Sequence, residues 1–236
     1  MYDAIAISDI HLGSDNSQAR ALAEFLGEIR RGDRATRRLI LNGDVFDSID
    51  FRRLKTHHWN VLSGLRRLSD EVEVTWLVGN HDGPADAVSH LLGVDVSDEL
   101  VVESGGRRVL YLHGHRFDEF IARWPRFTRF ADNCYRLLQW VDRTHTFARA
   151  AKRRSKVFLR NSEKIRAGAV RYAARHGYDA VCCGHTHLPD VNESGPAAYY
   201  NGGSWTEKTC HFLTLRDGEV GLHAYAAEPA LALAVA

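Results

Sequence analysis

At 236 residues, with 44% hydrophobic residues and a formal net charge of +1, the chain is long enough for one large domain with a sizeable core and is not basic throughout. Its four cysteines, Cys134, Cys182, Cys183 and Cys210, show no CxxC spacing, which argues against a zinc-thiolate site or a disulfide framework and fits a reducing cytoplasm. No apolar run approaches the roughly 18 residues that span a bilayer, so any membrane contact is expected to be peripheral.

The chain opens as a buried strand over 4–8 with no basic region or cleavage site before it, and export by a signal peptide is not expected. That strand runs into Asp9-Ile10-His11. On extended backbone two residues apart, Asp9 and His11 point to one side, although an isolated DxH is also an ordinary strand-end turn. Ala19, Leu22, Ala23, Leu26 and Ile29 then share one helical face, with Gly32 as the stop.

A second strand over 38–41 meets Gly43-Asp44, a common turn dipeptide that gains meaning from the apolar run Leu39-Ile40-Leu41 before it. A helix over 51–68 and a strand over 72–78 follow. The strand ends at Gly79-Asn80-His81-Asp82, where an amide oxygen, an imidazole and a carboxylate follow a glycine able to take an unusual backbone conformation. The plain alternative is a polar loop making turn hydrogen bonds. A third helix is predicted to begin near Pro84.

From residue 95 short strands predominate, and one over 109–112 leads into His113-Gly114-His115. Residues 117–175 read as a long helical insertion, or cap. Between Arg116 and Arg166 fourteen Lys or Arg face five acids, a net +9 that leaves the rest of the chain near −8. Trp124, Phe127, Phe130, Tyr135, Leu138, Trp140 and Phe147 recur there every three or four residues, as an apolar helical stripe does. The stripe reads either as ordinary core with solvated arginines around it, or as a basic, aromatic surface.

A strand over 179–183 carries Cys182 and Cys183 to opposite faces and ends at Gly184-His185-Thr186-His187. Strands over 197–200, 211–215 and 220–225 complete the pattern. With no repeat, low-complexity tract or linker, the chain reads as a single α/β domain over 1–236, two sheets face to face with helices outside. Five polar motifs thus close five apolar runs. They hold six of the thirteen histidines, and open α/β folds gather such strand ends at one sheet edge. The set supplies carboxylate, amide and imidazole ligands for two metal ions.

In this order the motifs resemble those of the calcineurin-like metallophosphoesterases, D-x-H, G-D, G-N-H-D, H-G-H and G-H-x-H, from Asp9 to about Trp205. The resemblance implies a four-layer α/β/β/α sandwich. It also implies one metal on Asp9, His11 and His187, another on Asn80, His113 and His185, and Asp44 bridging both. His81 would stand beside the substrate with Asp82 orienting its ring, and a metal-activated hydroxide would attack phosphorus. Oxygen and nitrogen donors without thiolate favour Mn²⁺ and are compatible with Fe or Zn²⁺.

Within that superfamily the chain is most similar to the UDP-2,3-diacylglucosamine pyrophosphohydrolases, through Ser8-Asp9-Ile10-His11-Leu12-Gly13, the aromatic and basic insertion, and Tyr200-Asn201-Gly202-Gly203-Ser204-Trp205. Such enzymes release 2,3-diacylglucosamine 1-phosphate and UMP in lipid A synthesis. His115 stands where many of them have Asp, and His81 where some have Arg. A basic, aromatic cap beside two metals would suit an anionic, lipid-linked nucleotide and the anionic inner face of a membrane, with Arg153, Arg154, Asn161 and Lys164, near the start of a helix returning toward the GHTH strand, as the candidate contacts. Alternatives are a phosphodiesterase, phosphatase or nuclease, for which nucleic acid is the rival partner of the basic patch, and a non-catalytic scaffold, whose mark would be lost ligands.

Overall fold

The structure is a computed structural model that describes residues 1–83, 90, 92–118 and 156–226. The predicted start of a helix at Pro84, the aromatic stripe over 124–147, Cys134, Arg153 and Arg154 lie outside the described residues.

One sheet has six strands, β1 (Ala4–Ile7), β2 (Arg38–Asn42), β3 (Glu73–Leu77), β4 (Asp95–Ser97), β10 (Cys210–Arg216) and β11 (Glu219–Tyr225), in the order β11-β10-β1-β2-β3-β4. The other has five, β5 (Glu99–Ser104), β6 (Arg107–Leu112), β7 (Ala180–Cys183), β8 (Pro189–Asn192) and β9 (Ala198–Gly202), in the order β5-β6-β7-β9-β8. β1 to β4 run parallel in the first sheet and β6, β7 and β9 in the second, with antiparallel strands at β10, β11, β5 and β8.

Alternation along the strands builds the layers. Ile5, Ile7, Leu39 and Leu41 face α1 (Ala19–Arg31) and α2 (Thr56–Leu68), while Ala4, Ala6 and Ile40 face the other sheet, against Val109, Tyr111, Ala180 and Cys182. Leu110, Leu112, Val181 and Cys183 turn outward to α3 (Lys156–Arg175), whose Ala169 and Ala173 are buried against them. The result is the expected α/β/β/α order, with Cys182 and Cys183 on opposite faces of β7.

Gly32 closes α1 in the left-handed conformation (φ 85°), as its sequence predicts. Two predictions need correction, and one strand was not predicted. The helix over 51–68 is two pieces, a 3-10 turn at Phe51–Arg53 capped by Asp50 and then α2, because Leu54 turns extended between them. The insertion does not begin as a helix at 117, since His115–Phe117 is a 3-10 turn ended by extended Asp118. β8 escaped notice because it begins with Pro and lacks alternating apolar residues, both tolerated at a sheet edge.

Candidate metal centre

Every motif leaves the C-terminal end of a parallel strand, β1, β2, β3, β6 or β7, and the five loops meet at one edge of the sandwich. Main-chain hydrogen bonds lace them together. Asp9 N donates to Gly43 O (3.1 Å), His11 N to Asp44 O (3.0 Å) and Gly184 N to His113 O (3.1 Å). The segment after β9 supports them from behind, Asn201 Nδ2 donating to Gly184 O (2.7 Å) and Trp205 N to Asp9 O (3.0 Å).

The backbone is strained where the candidate ligands are. Six described non-glycine residues have left-handed φ, and five of them are Asp9, His11, Asp44, His185 and His187 (φ 49–67°). Gly79 serves differently from the sequence reading. Its φ is not left-handed, and the residue is glycine because a Cβ would overlap the main chain and carboxylate of Asp44.

Three groups of side chains bring their ligand atoms within 4.8 Å of one another: Asp9, His11 and His187; His11, Asp44 and His81; Asp44, His113 and His185. Asp44 belongs to two of them, as a bridging carboxylate must. His187 Nε2 lies 3.1 Å from Asp9 Oδ1, His113 Nε2 3.2 Å from Asp44 Oδ2, and His11 Nε2 3.7 Å from the same Asp44 oxygen.

The donors fit a pair of cations. His113 Nδ1 faces the Asn42 carbonyl at 2.9 Å, so that nitrogen carries the hydrogen and, in the neutral ring, Nε2 turns a lone pair toward Asp44. His11 Nε2 and His187 Nε2 share a hydrogen bond of 3.3 Å, one ring donating according to its tautomer. Asp9 Oδ1 and His113 Nε2 are buried without a hydrogen-bond partner. Buried acceptors that face one another are reconciled by positive charge between them. The pKa values carry the same demand: burial opposes charge on His113, yet Asp44 and Asp9 push it up to about 10. Asp9, also against burial, is drawn down to about 2 by His187 and His113, and Asp44 falls well below the carboxylate range beside His113 and His11.

Asp82 does not hold the His81 ring. Its oxygens accept from Asp44 N (2.9 Å), Phe46 N (3.0 Å), Gly79 N (2.8 Å) and Trp76 Nε1 (3.2 Å), so it is a buried tie between two motif loops. Burial and the charge of Asp44 raise its pKa against those donors. The His81 ring is held instead by the Asp47 carbonyl, 3.2 Å from Nδ1, and His81 N donates to Asp44 Oδ1 (2.9 Å).

Asn80 is exposed on the same loop. Of the expected cap contacts, Asn161 donates to Asp118 Oδ2 (3.0 Å), an oxygen also 3.0 Å from His185 Nε2, whereas Lys164 is exposed on α3. His115 is half-buried beside the His113 ring (centroids 5.6 Å apart), and burial and the neighbouring His113 and His185 push its pKa down to about 4. Sequence reasoning missed Asp118 and Asp47. Asp118 is an acid inside a basic stretch, and Asp47 lies three residues after Asp44 in the same loop, signals too common to stand alone.

Residues 4–189 match the calcineurin-like phosphoesterase family. The chain belongs to that family. It is a phosphoesterase hydrolase, and the fold implies divalent metal ions. A UDP-2,3-diacylglucosamine hydrolase of Pseudomonas putida is 27% identical over 227 residues, covering 86% of this chain and 91% of that protein. One of Pseudomonas entomophila is 26% identical over 224 residues with the same coverage. Among solved structures, an archaeal phosphodiesterase superposes with a TM-score of 0.51 at 16% identity, over 94% of this chain and 99% of its own. A hypothetical protein of Pyrococcus horikoshii superposes with 0.54 at 11% identity, over 97% and 89%. These two likenesses concern the fold. No helix among the described residues is long and apolar enough to cross a membrane.

Proposed function

We propose that this phosphoesterase hydrolyses the phosphoanhydride of UDP-2,3-diacylglucosamine, releasing UMP and 2,3-diacylglucosamine 1-phosphate, and that its metals are two Mn²⁺ ions. The observation that carries the substrate is the length of the match: the proteins named UDP-2,3-diacylglucosamine hydrolases align over 86% of this chain and 91% of their own. That span is wider than the metal-binding motifs alone require.

Asp9, His11 and His187 would hold one ion and Asn80, His113 and His185 the other, with Asp44 shared. Bound there, two divalent ions would supply the positive charge and the activated water that phosphoryl transfer needs. The chain's own part is to place and to donate. His81, its Nδ1 fixed on the Asp47 carbonyl, has Nε2 left to donate to a phosphoryl or leaving oxygen when the ring is charged. Asn161, tied through Asp118 to His185, marks the side of the site from which α3 would meet the sugar and lipid. A cytoplasmic protein resting on the inner membrane face, its basic insertion toward anionic lipid, is the setting this substrate demands.

The test is UMP release from UDP-2,3-diacylglucosamine with Mn²⁺, with and without chelator, beside a generic phosphodiester. Chelator-sensitive UMP is expected. Turnover of the generic ester alone would discard the lipid substrate and keep the phosphoesterase.

A further inference from the structure

We infer that Asp47 is a positioning residue that sets two rings of the metal centre at once, His11 through its carboxylate and His81 through its carbonyl. The inference rests on the two-metal reading and deepens it.

His11 turns Nε2 toward Asp44 Oδ2 (3.7 Å) and Asp9 Oδ1 (4.0 Å). Its other nitrogen, Nδ1, faces Asp47 Oδ1 at 3.7 Å. An imidazole that binds a cation through Nε2 must keep its proton on Nδ1. A carboxylate on that side selects the tautomer, holds the ring plane and raises the basicity of the ligand atom. Asp47 is itself fixed. Its second oxygen is 2.6 Å from Arg53 Nη1, and its main-chain N donates to Leu12 O (3.0 Å), on the loop that carries His11.

An ordinary surface ion pair between Asp47 and Arg53 would leave the first oxygen to solvent. Here it is aimed at a ligand ring that is 8% exposed, and the carbonyl of the same residue meets His81 Nδ1 at 3.2 Å. Arg53, which pairs with Asp47, ends the 3-10 turn Phe51–Arg53 that precedes α2.

The experiment is Mn²⁺ titration of the whole protein, wild type beside Asp47→Asn and Arg53→Gln, followed by calorimetry, with the ring ¹⁵N spectrum of His11 recorded on the same proteins free of metal. In Asp47→Asn one of the two Mn²⁺ equivalents should bind about 10–100-fold more weakly while the other is unchanged. The ¹⁵N spectrum should show the His11 tautomer mixing. Arg53→Gln, on a more exposed side chain, should weaken the same equivalent by a smaller factor. Unchanged Mn²⁺ binding and an unchanged His11 spectrum would overturn the inference, as would equal weakening of both equivalents. A wild type that binds no Mn²⁺ would instead overturn the two-metal reading beneath it.

Discussion

At the end of the sandwich opposite the metal centre, Asp3 Oδ2 accepts from Ser104 Oγ (2.6 Å) and from Asp217 N (3.2 Å), Ser104 Oγ accepts from Gly218 N (2.8 Å), and Arg107 donates to Gly218 O (3.0 Å). Asp217 is the sixth residue with left-handed φ, and a two-residue Asp-Gly hairpin accounts for it. At the candidate metal centre carboxylates are instead set against imidazoles, on five left-handed candidate ligands that no hairpin explains. At about 1–2 kcal/mol each, those five conformations cost on the order of 5–10 kcal/mol, as much as the whole net stability of a domain. One end is polar structure with its acceptors satisfied. The other is organised around charge that it must receive, and its strain is held by the loops' main-chain bonds.

The largest test of that contrast is Asp44→Ala. It removes the carboxylate common to two ligand groups, and the thermal stabilisation that Mn²⁺ gives the wild type should vanish. Activity should fall by about 10³-fold or more, since metal charge contributes several kcal/mol to the transition state. Turnover retained by the metal-stripped variant would break the two-metal reading. His81→Ala should be milder, about 10²–10³-fold in kcat with both metals still bound by atomic absorption. If the variant instead loses a metal, His81 belongs among the ligands, as its place beside His11 and Asp44 would allow.

The difference between the two ends also governs what the sequence discloses. Ligands that leave strands are legible because apolar runs such as Leu39-Ile40-Leu41 announce the strand and the polar residues after it need another reason to be there. Layering is legible too, since Ala4, Ile5, Ala6 and Ile7 alternate between two cores. What stays hidden is carried by spatial partners. Asp82 adjoins His81 in sequence yet spends its oxygens on Asp44, Phe46, Gly79 and Trp76. Gly79 looks like a conformational glycine and is a steric one. Asp47 looks like one more loop acid until Arg53 and His11 are brought to it.

His58 stands between the two extremes and gives the smallest prediction. It is 1% exposed, and its Nδ1 accepts from Lys55 N (3.0 Å) at the start of α2, so the ring is neutral with its proton on Nε2, which has no hydrogen-bond partner. Burial, with the nearby charges of His57 and Lys55, pushes its pKa from 6.5 down to about 4. The folded pKa lies below the unfolded one, so the folded state binds fewer protons. Stability is therefore complete above about pH 6.5 and declines as pH falls toward 4, by about 3 kcal/mol at 1.36 kcal/mol per pKa unit. Gln at the third position of a helix can accept the same N–H, as it does in a capping box. His58→Gln should thus be within about 1 kcal/mol of wild type at pH 7 and should lose about 2–3 kcal/mol less between pH 7 and 4.5. Urea unfolding of both metal-free proteins at the two pH values reads this directly, because protonation of the metal ligands is common to both and cancels. Parallel losses would mean that the unpartnered Nε2 is satisfied in solution, and that burial at α2 follows the rule of the Asp3 end after all.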